Sequence, residues 1–332
     1  MSLSEFAVIK KYFHRQYDND IVRLGVGDDC ALVRVPQVRD SGQCQALSMD
    51  TLVAGVHFPL DTNPTHIAYK SLAVNLSDLA AMGARPTWFS LALTMPDADD
   101  EWLAQFSSGL FELADEYALP LIGGDITRGP LSITIQIAGE VGEHLALRRD
   151  GAKEGDSIFV SGTLGDAAAG LSLLVNKMPQ QSEYTEYLVS RLNRPTPRVA
   201  LGLSLLPFAT SCIDLSDGLL ADLSHLCDRS QLGATIFFDQ IPVSEKLKSF
   251  FSSSQLNELS KARLVAGSGD DYELCFTVPE RHTEAVRLVS EKAGVRVTLI
   301  GSMKRDGLVE CINADGQVLD MQEMGFKHFY NL

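Results

Sequence analysis

No stretch of this 332-residue chain approaches the ~20 consecutive apolar residues of a membrane-spanning helix. The first ten residues hold no long apolar run and no cleavage site, so no secretion signal is expected. Cysteine is sparse, with six residues (Cys30, Cys44, Cys212, Cys227, Cys275, Cys311), and none forms a C-x-x-C pair. That argues against a zinc site or a disulfide framework and fits a reducing cytoplasm. Basic residues are in deficit too: 28 Lys and Arg face 43 Asp and Glu, a formal charge of −15. Such a surface repels nucleic acid, whose binding needs clustered Lys and Arg, so neither nucleic acid nor membrane is an expected partner. The phosphate-cradling G-x-x-x-x-G-K-[ST] loop is missing, as is the protein-kinase motif set. No Ser-His-Asp or Cys-His arrangement stands out.

What is present describes a folded enzyme-sized chain. Apolar residues make up 45% and charged residues 21%, which predicts a packed core. The length favours two domains. Strand-like and helix-like segments alternate, giving an α/β or α+β class. Strands are expected at 21–26, 45–49, 87–95, 120–122, 131–141, 157–161, 211–214, 234–238, 272–278 and 297–301. Asn63 before Pro64 predicts a helix running to about Met82, and Leu103, Phe106, Leu110 and Leu113 predict an amphipathic helix over 97–117. Further helices are expected at 165–174 and 216–229. The turn-rich segment 148–156 places a domain boundary between 1–150 and 151–332.

The informative pattern is acidic. Carboxylates recur where an apolar strand gives way to a turn, in Gly27-Asp28-Asp29, Ser48-Met49-Asp50, Gly123-Gly124-Asp125 and Asp214-Leu215-Ser216-Asp217-Gly218, and Gly269-Asp270-Asp271 stands just before a further strand. Asp78 lies in the otherwise apolar run Asn75-Leu76-Ser77-Asp78. Any one such motif is more often a plain turn or helix cap than a ligand. Together they suggest a cleft of carboxylates, unfavourable unless cations neutralise it. Hard oxygen donors at this density suit Mg²⁺, which shares its shell with substrate phosphates. Gly162-Thr163-Leu164-Gly165-Asp166 could hold an anion, but a helix-start turn is the simpler reading. His57, taken alone, is more often structural than catalytic.

The motifs Gly27-Asp28-Asp29-Cys30-Ala31, Asp50-Thr51-Leu52-Val53-Ala54-Gly55-Val56-His57-Phe58, Asn75-Leu76-Ser77-Asp78-Leu79-Ala80-Ala81-Met82-Gly83, Gly123-Gly124-Asp125, Asp214-Leu215-Ser216-Asp217-Gly218 and Asp271-Tyr272-Glu273-Leu274 resemble, in order, the thiamine-monophosphate kinase family. The resemblance spans nearly the whole chain. It implies a two-domain fold shared with aminoimidazole ribonucleotide synthetase, a homodimer paired through the N-terminal sheets, and ATP with several Mg²⁺ ions in a cleft between the domains. By motif, Asp29, Ser48, Met49, Asp50, Asp78, Asp125, Asp214 and Asp217 would be metal ligands, with Asp78, Asp125 and Asp214 central to catalysis. Tyr117, Gly124, Asp125, Arg149 and Ser216 would contact ATP, and His57, Asp270 and Phe326 would line the thiamine-phosphate pocket. Met49 stands where the family commonly has threonine, so a metal contact there would come from its carbonyl. Asp270 stands where glutamate is usual, and Ser268 replaces a nearby glycine.

The implied nucleophile is a phosphate monoester with a second pKa of about 6, already ionised at neutral pH, so no general base is needed. Two other readings are weighed. One is a synthetase of the same fold; a selenophosphate synthetase is disfavoured because the first cysteine, Cys30, lies inside the acidic motif. The other is a non-catalytic metal- or nucleotide-binding protein.

Overall fold

The computed structural model describes residues 22–24, 28–34, 42–176 and 183–319. It is a mixed α/β structure built on two six-stranded sheets. The first contains β1 (Val22–Leu24), β2 (Ala31–Arg34), β3 (Gln43–Val53), β4 (Arg85–Met95), β5 (Leu121–Arg128) and β6 (Ser132–Gly142), in the order β1-β2-β3-β6-β4-β5. Only β4 and β5 run parallel there. The second contains β7 (Ser157–Ser161), β8 (Ser211–Asp214), β9 (Gly233–Phe237), β10 (Leu274–Val278), β11 (Val297–Lys304) and β12 (Val309–Ile312), in the order β12-β9-β11-β7-β10-β8.

One face of the first sheet is apolar because alternate residues of β6, Ile133, Ile135 and Ile137, point to it and are fully buried. Helix α1 (Pro64–Ala81) lies on that face, with α2 (Asp100–Glu116) beside it. Helix α1 starts as its sequence demands: Asn63 caps it, its side chain accepting the Thr65 N–H at 2.8 Å, and Pro64 occupies the first position. From Ile67 to Ala81 every residue except Asp78 is buried, the pattern of a helix covered on all sides. Its second side meets the other half of the chain, through α5 (Val199–Leu205) and β8. One apolar cluster therefore runs without interruption from the first sheet through α1 to Leu201, Leu205, Phe159 and Phe276.

The second sheet carries a separate cluster on its other face. It is covered there by α3 (Asp166–Val175), α4 (Glu183–Asn193), α6 (Leu219–Ser230), α7 (Glu245–Ser253) and α8 (Glu258–Ala266). Helix α9 (Thr283–Lys292) packs against α5, joining the first cluster through Val286. All six cysteines are buried free thiols.

Several elements differ from expectation. Strand β3 extends to Val53, so Ser48, Met49 and Asp50 are inside a strand rather than at its end. Strand β5 likewise runs through Gly123-Gly124-Asp125 to Arg128. The register shift between Phe89 and Leu91 absorbs the glycine pair, and a Cβ on Gly124 would lie 1.8 Å from the Leu91 carbonyl oxygen. Helix α6 begins at Leu219, after Gly218, which leaves Asp217 in the preceding bend. Gly162–Asp166 is a helix-start turn: Gly165 has φ +85°, and its N–H donates to the Asp271 carboxylate at 2.9 Å.

Candidate active site

Three carboxylates from distant parts of the chain meet where the two sheets face each other across α1. Asp29 precedes β2, Asp78 lies in the last turns of α1, and Asp214 ends β8. One oxygen from each lies within 4.8 Å of the other two. Asp29 and Asp214 are buried and Asp78 is half-buried. Hydroxyl donors hold them in place: Ser77 donates to Asp214 Oδ2 at 2.7 Å, and Ser48 donates to Asp78 Oδ2.

The electrostatics of this group are unfavourable as it stands. Burial, then Asp50, Asp214 and Asp29, push the Asp78 carboxyl well above the usual range. Burial and Asp29 do the same to Asp214. Asp28 is raised to about 7 by burial and by Asp29, against the lowering effect of Arg149. A set of hard oxygen donors that resist ionising together is what a divalent cation relieves, so the residues fit Mg²⁺. Asp50 belongs to the same neighbourhood, since its charge acts on Asp78; its N–H donates to Asn75 Oδ1 at 3.2 Å. Asp217 acts on the buried carboxyl of Asp222, which itself accepts the Asp217 and Gly218 N–H groups at 3.1 and 3.0 Å.

Arg149 forks onto Asp29, with Nε to Oδ2 at 3.0 Å and a terminal nitrogen to Oδ1 at 2.7 Å. Its backbone N–H donates to Asp28 Oδ2 at 3.2 Å. This guanidinium is therefore fixed at the edge of the carboxylate group. Ser216 and Asp270 belong to two loops locked together: the Asp270 N–H donates to the Ser216 carbonyl at 2.9 Å, and the Tyr272 N–H to the Leu215 carbonyl at 2.8 Å. A Cβ on Gly269 would lie 1.9 Å from the Ser216 carbonyl oxygen, so the approach requires glycine. Asp270 and Tyr272 both adopt positive φ, 71° and 49°, strain that the surrounding contacts must hold. His57 accepts the Val53 N–H through Nδ1 at 2.9 Å, which leaves Nε2 as the protonated nitrogen of a neutral ring. Tyr117 caps the end of α2 and donates to the Pro197 carbonyl at 3.2 Å; burial pushes its hydroxyl up to about 12.

The side chains of Asp125 and Met49, and Gly124 with them, stand apart from the acidic group. Asp125 pairs with Ala92, which continues through Thr134 to Thr51 as one cross-strand row. Thr51 and Thr134 hydroxyls are 2.8 Å apart, confirming a shared face, and it is opposite the α1-covered face that Asp50 shares with Ile135. Met49 lies on that outer face as well, 58% exposed. Gly124, beside Asp125, is exposed on the same edge strand. Phe326 lies outside the described residues.

The structure adds groups that sequence reasoning missed. Ser77 and Asn75 were visible in the Asn75-Leu76-Ser77-Asp78 motif as polar residues in an apolar helix. Lys70, two turns earlier on the Ser77 face of α1, is buried and ion-paired with Asp270 at 2.6 Å. Glu273 is fully buried beneath the Asp270 loop, gripped by Arg191 at 2.8 Å, Arg198 at 2.6 Å and Ser161 at 2.5 Å. The signal for Lys70 was a lone cation in the apolar stretch Ile67–Ala73.

Two abutting α/β halves with acids converging between them define a class. The family described as AIR synthase related protein, N-terminal domain, matches residues 27–141, and the corresponding C-terminal domain family matches residues 153–312. Thiamine-monophosphate kinase of Escherichia coli K12 is 46% identical over 99% of both chains. The crystal structure of thiamine-monophosphate kinase from Stenotrophomonas maltophilia is 43% identical, covering 96% of this chain and 99% of that one, with a TM-score of 0.78. The chain belongs to the thiamine-monophosphate kinase family. A solved structure described as AaThiL complexed with AMPPCP and TMP is 30% identical over 99% of both chains, with a TM-score of 0.84.

Proposed function

We infer that this chain transfers the γ-phosphoryl group of ATP directly to the phosphate of thiamine monophosphate, giving thiamine diphosphate and ADP. The observation that carries this reading is the convergence of Asp29, Asp78 and Asp214 within 4.8 Å between the two halves of a chain of this family. Family relatives named for this activity support it, as does the relative bound to an ATP analogue and TMP. In the reaction an oxygen of the acceptor phosphate bonds to the γ-phosphorus while the bond to the β–γ bridging oxygen breaks, and ADP carries away that electron pair. The acceptor needs no general base, because a phosphate monoester is already ionised at neutral pH. What remains is positioning and charge neutralisation of two polyanions.

Asp29, Asp78 and Asp214, with Asp50 and Ser48 beside them, are the groups we assign to Mg²⁺, and the family motifs add Asp217 and the Met49 carbonyl. The ions would supply electrostatic stabilisation of phosphate oxygens. Arg149 is assigned to the nucleotide phosphates by its fork geometry, which requires it to share or leave Asp29. Tyr117, Gly124, Asp125 and Ser216 complete the nucleotide assignment, and His57, Asp270 and Phe326 the thiamine pocket. The working domains are 1–150 and 151–332.

We also place the protein in the cytoplasm as a homodimer. No helix among the described residues is long and apolar enough to cross a membrane. Every residue of edge strand β5 is exposed, with Ile122 at 60% and Ile126 at 68%. An apolar strand with no further neighbour among the described residues is normally covered. Sedimentation at micromolar concentration is expected to give a dimer; a monomer there rejects the assignment. The function itself is tested by incubating the protein with ATP, Mg²⁺ and thiamine monophosphate and separating the products. Equal amounts of thiamine diphosphate and ADP are expected. Orthophosphate without thiamine diphosphate would instead indicate a synthetase.

A further inference from the structure

Lys70 carries a charge that the reading above does not use. It is 3% exposed, in the middle of α1, among residues that are otherwise apolar or small. A lysine so placed is costly unless paired. Its Nζ meets the Asp270 carboxylate at 2.6 Å and the His57 carbonyl oxygen at 3.4 Å. Both partners are residues assigned to the thiamine-phosphate pocket, so the ammonium lies in that pocket's wall. Seven residues further along α1, on the same face, Ser77 holds Asp214 of the carboxylate group. Seven residues are two helical turns, about 10 Å. The ammonium and the acidic group thus lie two turns apart on one helix face and differ in charge.

Resting on that reading of function, we propose that Lys70 is a substrate-binding residue that exchanges partners: it neutralises Asp270 in the empty pocket and turns to the substrate phosphate when the thiazolium cation takes its place on Asp270. The charge balance favours this. Thiamine monophosphate brings one cation and one anionic group. A single buried pair, Lys70 with Asp270, becomes two pairs, Asp270 with thiazolium and Lys70 with phosphate, and no charge is stranded. Asp270 is placed to receive a ligand from solvent. Its side chain is 29% exposed, so it faces the opening, and its backbone at φ 71° is held by the Ser216 contact rather than by the ion pair alone. Free thiamine has the cation without the phosphate. It must displace Lys70 from Asp270 and gives the ammonium nothing in return. The pair therefore selects for the phosphorylated form.

The test is calorimetric binding of thiamine and of thiamine monophosphate to the full chain, with Mg²⁺ and a non-hydrolysable ATP analogue present so that turnover plays no part. In Lys70→Met, affinity for thiamine monophosphate is expected to fall by roughly tenfold or more, while affinity for free thiamine rises, because Asp270 is now unoccupied. In Asp270→Asn thiamine and thiamine monophosphate change by the same factor, so the preference for the phosphorylated form is kept, because the phosphate still meets Lys70. Lys70→Gln, which keeps a polar tip at similar length, serves if the methionine variant does not fold. A purely structural tie between helix and loop would weaken both ligands alike. Parallel weakening in the Lys70 variant, or no change of either ligand there, overturns the exchange, as does loss of the preference in Asp270→Asn. If the wild-type chain binds the nucleotide analogue but not thiamine monophosphate, the reading of function fails, independently of any Lys70 variant.

Discussion

Asp78 and Asp214 show how residue-scale cost marks a site. Neither acid gains stability from its position: burial and mutual repulsion raise both carboxyls. Each is nevertheless supplied with a hydroxyl donor, Ser48 for Asp78 and Ser77 for Asp214. Groups kept in place at a cost to folding are the ones expected to act on a ligand. Asparagine is nearly isosteric and removes the charge. Asp78→Asn and Asp214→Asn are therefore expected to lower turnover by about 10²–10³-fold or more, the scale seen when one electrostatic stabiliser is removed. In metal-free buffer both variants are expected to resist urea at least as well as the wild type, because a repulsive charge has gone. Steady-state rates and urea midpoints check the two halves of this statement. Near-normal rates would remove these carboxylates from the mechanism.

At the scale of elements, α1 does most of the organising. It carries Asp78 and Ser77 to the acidic group and Lys70 to the Asp270 loop, while its other side covers the first sheet. Its entry rests on one short hydrogen bond from Thr65 N–H to the Asn63 side chain. Asn63→Ala is expected to cost about 1 kcal/mol in global stability, as an N-cap loss does, read from the shift in urea midpoint. No shift would mean that burial alone fixes the helix start. This helix was legible in the sequence because its cap, its proline and its glycine stop are local signals. The α2 helix was legible through the helical spacing of Leu103, Phe106, Leu110 and Leu113, though it starts at Asp100 behind an Asp99 cap rather than at 97. The acidic motifs were legible too, and three of them do meet. What local signals could not give is where a strand ends inside a sheet. Asp50 and Asp125 looked alike as strand-end acids, yet β3 and β5 continue past both, and pairing in register then sends them to opposite faces. Alternation flips with a single residue, so only the register could separate them. Lys70 and Glu273 were hidden for a related reason. Their partners, Asp270 and the pair Arg191 and Arg198, lie far away in sequence.

For the whole molecule, the acidic group lies across a boundary that the apolar core does not respect. Asp29 and Asp78 come from the first half and Asp214 from the second, while one continuous apolar cluster joins the same two halves through α1. Burial therefore pulls the halves together at the place where carboxylate repulsion pushes them apart. A cation bound there would remove the opposition and add to stability by mass action. At about 100 times its dissociation constant it would contribute about 2.7 kcal/mol, provided it binds the folded state alone. The wild-type chain is accordingly expected to unfold at higher urea with Mg²⁺ than with a chelator. In Asp214→Asn that increment should shrink towards zero, because one of the three ligands no longer bears charge. A calcium- or magnesium-dependent shift of equal size in both proteins would place the stabilising ion elsewhere. The same comparison separates this site from general screening, since matched ionic strength from sodium chloride should leave the difference between the two proteins unchanged.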